Sequence, residues 1–513
     1  MSSQPLPRRI ELLGHSPWTP ERILSEIEAG LPPAEAPGCF TLVAEDGASV
    51  TIATSAMSAL LYCYHLSADR QRLAHGRTVF DVVRRAALPW RWSRSGLRAF
   101  MLIDQTLGEE TLHDEIRYVP PGALLRFRPG SFSCRGGPGP ASLFQRAAPP
   151  AAQQAAETLR AAVDDAAGGP AFVALTAGHD SRMVLAALLA AGHRPVTVTI
   201  GPAACEDRRV AESIARDLGL EHRAVEMTPD LYLTHARSAV RLTGGGKGPA
   251  HWHMHLLCQE AEIPPGALHY LGINGEFART NYFDKGLLAL LADRQPFDLA
   301  RGFLRAKVAA RRHRAPWMAA PWCRPILEGA LPFHEELLGR TQGARGLLDR
   351  LDLLYLSERA RIFGGGDLAF AAARSRAAAP LLDVRWLRVA AALPRRMKLG
   401  GRIQREVVAR LCPALLDYPI GPGPSLRDRP QRLYWLRAKP GTTYKAFAGL
   451  PARTDLREML AESSGLDLFL DRRERITALA TGNPWLYELL LTLHFTISIL
   501  NEEGVRVEAP DWR

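Results

Sequence analysis

The stretch Leu175-Thr176-Ala177-Gly178-His179-Asp180-Ser181-Arg182 decides how the rest of the chain is read. The apolar run before it, 171–176, has the length and composition of a buried strand, and residues 181–191 after it have those of a helix. Between them come small residues and then a polar Asp-Ser pair. A strand–turn–helix of this kind directs backbone N–H groups and the positive end of the helix at one spot, forming an anion cradle suited to pyrophosphate. Thr176, Ala177, Gly178, His179 and Ser181 are therefore candidate phosphate-binding positions, and Thr176 and Ser181 add hydroxyl donors. Asp180 supplies a carboxylate where a magnesium ion would bridge phosphate oxygens. The plainer reading is an ordinary turn in which Asp-Ser caps the helix.

Working outward, a helix is expected over 151–166, then strand 171–176, helix 181–191, strand 196–200, helix 206–218 and strand 222–225. A βαβαβ order implies a parallel sheet covered by helices on both faces, with ligands at the carboxyl ends of the strands. From about residue 287 the pattern becomes helical almost to the end, which predicts a helical C-terminal lobe. The first 135 residues differ. Short β-like runs at 40–43, 50–53, 60–64 and 123–127 are separated by turn residues such as Asp46-Gly47 and Pro120-Pro121-Gly122, as in a β-rich sheet domain. Gly136-Gly137-Pro138-Gly139-Pro140 and Pro149-Pro150 then read as a linker. The division expected is 1–135, a linker over 136–150, and 151–513.

The bulk properties set limits. A chain of 513 residues is too long for one ordinary core, and 47% hydrophobic with 23% charged residues is a globular composition. Met1 to Arg9 lacks the apolar centre of a secretory signal. The apolar stretch 486–500 is interrupted by Glu488, Thr492 and His494, and reads as a buried helix, not a membrane span. Seven scattered cysteines suit a reducing cytoplasm better than a disulfide framework. The net charge of +11 invites a nucleic-acid reading, but much of the basic excess is arginine and no RNA-binding signature accompanies it. Nucleotide phosphates and acidic or peptidic substrates account for that charge equally well.

The quoted stretch resembles the Ser-Gly-Gly-x-Asp-Ser PP-loop of asparagine synthetases, β-lactam synthetases and lasso-peptide cyclases, with Thr176 and Ala177 in place of the first Ser and Gly. Val196-Thr197-Val198-Thr199-Ile200-Gly201 resembles the family's next strand, which implies that Ile200 lines an adenine pocket. Glu206-Asp207 and Leu218-Gly219-Leu220-Glu221-His222 follow in the family's order. Leu271-Gly272-Ile273-Asn274-Gly275-Glu276-Phe277 is similar to the Gly-x-Gly-x-Asp loop that closes on pyrophosphate, so Gly272, Asn274 and Gly275 would contact the nucleotide. Glu276 then stands where the family has a second magnesium ligand. Pro380-Leu381-Leu382-Asp383 resembles Pro-Phe-Leu-Asp, and Leu393-Pro394, Lys398, Gly401-Arg402 and Cys412-Pro413 continue that pattern. Gly38-Cys39-Phe40, Leu107-Gly108-Glu109-Glu110-Thr111-Leu112 and Pro120-Pro121-Gly122 resemble parts of a glutaminase sheet. The resemblance implies an α/β chain: an N-terminal Ntn-hydrolase-like β-rich sandwich, then a PP-loop (adenine nucleotide α-hydrolase-like) parallel-sheet domain with its helical lobe. It further implies ATP and Mg2+ as cofactors.

The chain departs from the family at several positions. Glutamine-dependent members carry a nucleophilic cysteine directly after the initiator methionine, where this sequence has Ser2-Ser3-Gln4-Pro5. The N-terminal domain is thus expected to be catalytically degenerate, with the amine brought by the substrate. Ile273 and Arg385 occupy the positions of the tyrosine and glutamate that serve β-lactam closure, and neither can act as that base. The family's late lysine falls at Gln404; Arg405 beside it and Arg402 nearby offer the same positive charge to a transition state. His251, His253 and His255 share a helix yet supply one i,i+4 pair, so a zinc site is not favoured. Arg301, Arg305, Lys307, Arg311, Arg312 and Arg314 read as a solvated helix face, or as a grip for an acidic peptide or carrier.

The function expected is ATP-dependent amide formation. Asp180, Arg405 and Arg402 would assist adenylation of a carboxylate on a small molecule or peptide, and an amine donor would complete the amide, as in a lasso-peptide cyclase. The alternatives are a degenerate homologue serving as scaffold among biosynthetic proteins, and a transfer-RNA-modifying enzyme supported by charge alone. Nucleic acid is not the favoured partner.

Overall fold

The structure is a computed structural model, and it describes residues 9–137, 139–144, 149–164, 170–279, 323–327, 339, 341, 344, 346–420, 425, 427 and 445–510. The arginine-rich run from Arg301 to Arg314, Ser2 with its neighbours, and the start of the expected helical lobe at 287 lie outside the described residues.

Eight strands form the N-terminal sheets: β1 (Arg9–His15), β2 (Cys39–Asp46), β3 (Ser49–Thr54), β4 (Cys63–Leu66), β5 (Leu73–Gly76), β6 (Arg117–Tyr118), β7 (Leu124–Arg128) and β8 (Ser131–Arg135). One antiparallel sheet has the order β1-β2-β3-β7-β8, and a smaller one has β5-β4-β6. The alternation along β2 explains its burial on both faces. Phe40, Leu42 and Ala44 pack with Ile23, Leu24 and Ile27 of the Pro20–Glu28 helix, while Cys39 and Val43 join the main core. The expected strand at 60–64 starts later, at Cys63, because Ser58 adopts a positive φ of 45° and turns the chain just before it. Helices Val79–Ala86 and Arg94–Ile103 also stand in this half; the first opens on a Thr78/Asp81 capping box.

The second half holds five strands: β9 (Ala171–Ala174), β10 (Val196–Gly201), β11 (His222–Glu226), β12 (Leu268–Tyr270) and β13 (Arg376–Ala378). They form one parallel sheet in the order β11-β10-β9-β12-β13. The helix expected before β9 is present at Ala152–Asp164, and the two expected between the first three strands at His179–Ala190 and Glu206–Asp217. The protein is thus an α/β mixture of antiparallel and parallel sheets with many helices. Within the expected linker, Pro140–Phe144 forms a short 3-10 turn whose Leu143 is buried. One apolar core runs through both halves. The 486–500 stretch lies in the buried helix Pro484–Glu502, and no described helix is long and apolar enough to cross a membrane.

Strand order positions the site. The first strand of the sheet, β9, lies between the second and the fourth, so successive connections leave it in opposite directions. In sheets of this kind ligands bind where that reversal occurs, here at the carboxyl ends of β9 and β12. The residues following those two strands are Leu175 to Ser181 and Leu271 to Arg279.

The core also contains histidines that predict an acid-sensitive fold. His255 donates to or accepts from Ser238 Oγ at 2.7 Å, and His269 Nδ1 lies 3.8 Å from Cys258 Sγ. Burial pushes them down, to about 3 and about 4 respectively. A folded value below the unfolded one means that the unfolded chain takes up the proton first. Stability from these groups is full above about pH 6.5 and falls as pH drops toward 4, by roughly 1.4 kcal/mol per unit per histidine. Denaturant unfolding should show a lower midpoint at pH 5 than at pH 7.5; an equal or higher midpoint at pH 5 would contradict this account.

Candidate active site

The turn after β9 is closed by its own hydroxyls. Thr176 N donates to Ser181 Oγ at 3.1 Å, the Thr176 and Ser181 hydroxyls lie 3.1 Å apart, and Gly178 N donates to Thr176 Oγ1 at 3.1 Å. Ala177 N donates to Asp207 Oδ1 at 2.8 Å, which ties the turn to the helix following β10. Gly178 stands at the N-cap of the His179–Ala190 helix without a side-chain cap. Arg182, fully buried, donates to the carbonyls of Ala177 (3.0 Å) and Tyr418 (2.9 Å). Ile200 is buried on the adjoining β10, and the neighbouring Thr199 hydroxyl donates to Leu175 O at 2.6 Å.

The turn after β12 is pressed against the first. A Cβ on Gly272 would lie 2.8 Å from Ser181 N, and one on Gly275 would lie 2.0 Å from Asp180 Cγ. Asn274 adopts a positive φ of 73°, a conformation that Asn tolerates better than most residues. Its Nδ2 donates to Leu381 O at 2.8 Å, so the Pro380-Leu381-Leu382-Asp383 segment after β13 joins the cluster. Four strand ends therefore meet, as a parallel sheet requires.

Asp180 and Glu276 face a common cation. Arg279 Nη2 lies 3.4 Å from Asp180 Oδ2 and 3.4 Å from Glu276 Oε1, and Tyr355 donates its hydroxyl to Glu276 Oε2 at 3.0 Å. Gln404 Nε2 donates to Asp180 Oδ1 and, at 3.2 Å, to Gly275 O. Burial raises the Asp180 carboxyl to about 7; Arg279 opposes the shift, Glu276 adds to it, and the Gln404 hydrogen bond opposes it. Its side chain keeps 15% of its exposure, so a ligand can still reach it. His179 is driven down to about 3 by burial and by Arg279, Arg405 and Arg182 around it, and so is neutral at pH 7.

Thr176, Ala177, Gly178, His179, Asp180, Ser181, Gly272, Asn274, Gly275 and Glu276 are thus brought together. Arg405 is less directly placed: its guanidinium donates to Gly400 O at 2.7 Å, and burial lowers its pKa. Arg402 is exposed at the start of the Arg402–Leu411 helix. The cation at the two acids is instead Arg279, which reading the sequence missed. Its spacing of three from Glu276 was the available signal. Tyr355, far away in sequence, gave none. Lys398 is buried and paired with Asp352 at 2.8 Å. His251, His253 and His255 diverge: His251 packs edge-on against Phe363, and among the described residues no three potential ligands gather for a metal.

Three buried polar atoms in this cluster, His179 Nδ1, Asn274 Oδ1 and Gln404 Oε1, have no hydrogen-bond partner among the described residues. Buried polar atoms left unpaired are costly unless a ligand or water meets them.

Residues 154–263 match the model of the asparagine synthase family. That span contains the turn after β9 together with β10 and β11, and ends just before β12. No curated protein matches the chain. Over these residues the chain is asparagine synthetase-like, which points in general terms to ATP-dependent carbon–nitrogen ligation.

Proposed function

We propose that the protein adenylates a substrate carboxylate and passes the acyl group to an amine carried by a substrate. A carboxylate oxygen attacks the α-phosphorus of ATP, and pyrophosphate leaves. The amine nitrogen then attacks the acyl carbon, AMP departs with the bonding pair, and the amine proton is lost as the amide forms. The observation that carries this reading is the convergence of Asp180 and Glu276, from different turns, on one guanidinium nitrogen.

Magnesium commonly takes one or two protein carboxylates and completes its shell with phosphate oxygens and water, so this pair fits it. Asp180 and Glu276 would hold the ion, which when bound neutralises charge developing on the phosphate oxygens. Thr176, Ala177, Gly178, His179 and Ser181 would hold the pyrophosphate, Gly272, Asn274 and Gly275 would close over it, and Ile200 would border the adenine. Arg405 and Arg402 remain the proposed cations of the late helix, and Arg279 joins them. The thiols described in the N-terminal half are poor nucleophiles: burial raises Cys39 to about 12 and Cys134 to about 11, and Cys63 is raised as well. With Ser2 where glutamine-dependent relatives carry their cysteine, the amine of this reading arrives on the substrate. If both ends lie on one molecule the product is a macrocycle or lactam, as in a lasso-peptide cyclase, and holding them together supplies much of the rate.

A scaffold role is the second reading. Gln404 covers one oxygen of Asp180, and Asp207 occupies the Ala177 amide, so part of the cradle is satisfied internally. Magnesium-dependent ATP binding separates the two readings.

Calorimetry should detect ATP binding that requires magnesium, and Asp180→Ala should abolish it without loss of fold. Glu276→Gln should weaken the magnesium dependence, and Glu276→Asp should retain part of it. Absence of any magnesium-dependent binding by the unaltered protein would favour the scaffold.

Gly275→Ala offers a second check, because its Cβ would overlap the Asp180 carboxyl. Overpacking of this kind costs about 1–3 kcal/mol. The variant should melt lower and lose ATP binding; wild-type binding would mean that the two turns are not in this contact.

A further inference from the structure

The helical segment Tyr355–Gly364 joins loops of the N-terminal half to the acid pair, and it is not an α-helix. Its ten residues form a wide π-helix, a geometry that is rare, usually limited to a single turn, and frequent at functional sites. It continues the Leu347–Leu354 helix and runs directly into Gly365–Ala372.

Its first residue touches the site. Tyr355 donates to Glu276 Oε2 at 3.0 Å, while Glu276 Oε1 faces the Arg279 guanidinium that also reaches Asp180. The following turns are gripped from the N-terminal half. Gly108 N donates to Glu358 Oε2 at 2.8 Å, and Gln105 Nε2 donates to Glu358 O at 2.6 Å. Arg359 Nη1 donates to Gln105 Oε1 at 3.1 Å, and Arg361 donates to Gly108 O and, at 3.0 Å, to Val119 O. At the far end a Cβ on Gly365 would stand 2.3 Å from Ala59 O, so glycine alone permits that approach.

These contacts fix the rotation of the segment about its axis. Glu358 and Arg361 are buried, and buried charged groups released from their partners are expensive. Rewinding the segment into α geometry would carry Tyr355 around the axis, away from Glu276.

We propose that Tyr355 is a positioning residue for Glu276, and that the loops of the N-terminal half around Gln105, Gly108 and Val119 serve the site by clamping the π-helix that carries Tyr355. The hydroxyl holds Oε2 and leaves Oε1 turned toward Asp180, the orientation in which the two acids share a cation. This rests on the reading of Asp180 and Glu276 as the magnesium-holding pair. Partners that orient a ligating carboxylate commonly change metal affinity 10- to 100-fold.

The test uses the full chain, with ATP titrated calorimetrically at a series of magnesium concentrations. Tyr355→Phe keeps the ring and removes the hydroxyl. It should raise the magnesium concentration for half-maximal ATP binding by about 10-fold, with the melting temperature near that of the wild type. In a Glu276→Gln background the same substitution should have no further effect, which a purely structural role would not produce. Gln105→Ala, in the clamp, should shift the magnesium dependence in the same direction. An unchanged magnesium dependence in Tyr355→Phe, or an equal shift with Glu276→Gln present, overturns the positioning role while leaving the ligase reading standing. A Gln105→Ala variant that melts lower with no such shift overturns the clamp. Failure of the wild type to bind ATP at any magnesium concentration overturns the acid pair itself, and the inference with it.

Discussion

The contact on which the site depends is that between Gly275 and Asp180, where there is no room even for a methyl group. It follows from sheet order. With β12 paired to β9 in parallel register, the chain leaves both strands at the same edge, and the two turns must pass over one another. Glycine at 272 and 275 lets them pass at backbone distance. Close passage then buries Asp180, and burial sets its electrostatics: a carboxyl raised to about 7 with a second acid alongside needs positive charge nearby. Arg279 supplies that charge across both acids.

The same compactness bears on the two neutral groups of the cluster, His179 and Gln404. Gln404 meets Asp180 with an amide, where an ammonium group is found in the family that the sequence resembles. An added cation beside Arg279 would have to be desolvated in its turn, and Arg405 already lies close enough to depress His179. The arrangement keeps one guanidinium on the acids and directs Arg405 to a backbone carbonyl.

How much of this was legible depended on sequence distance. The alternation from 152 to 226 could be read because β9 is a contiguous apolar run and β10 a β-branched run of Val, Thr and Ile, both buried as strands covered on both faces are. β12 and β13 are three residues each, too short to show a period, and their neighbours in the sheet are distant in the chain. The turn residues around Asp180 and Glu276 were visible as motifs, but Arg279 was overlooked, and the only cations singled out for the reaction were Arg402 and Arg405 of the late helix. There, burial of Ile403, Gln404, Val407 and Val408 marks the inward face, and Arg402 lies off it. In the N-terminal half, a strand whose composition would start it at residue 60 begins only at Cys63, after the turn at Ser58.

The N-terminal half gains a physical purpose from these contacts, whatever chemistry it has or lacks. Asp383 illustrates it. The residue caps the Val384–Ala392 helix through Arg385 N, pairs with the Arg385 guanidinium at 2.9 Å, and accepts from Gly38 N at 2.8 Å. Gly38 can offer that N–H because its φ of 105° bends the chain at the start of β2. If the halves separated, the carboxylate would keep its cap and guanidinium but lose the Gly38 amide, a hydrogen bond to a charged group worth about 1.5–3 kcal/mol. The Pro380-Leu381-Leu382-Asp383 segment also accepts Asn274 through Leu381 O. The N-terminal half therefore bears on the turn that carries Glu276 from two sides, through Gly38 on Asp383 and through Gln105, Gly108 and Val119 on the helix bearing Tyr355. A chain that lost its N-terminal half would keep the residues of the candidate site and lose what holds them in register.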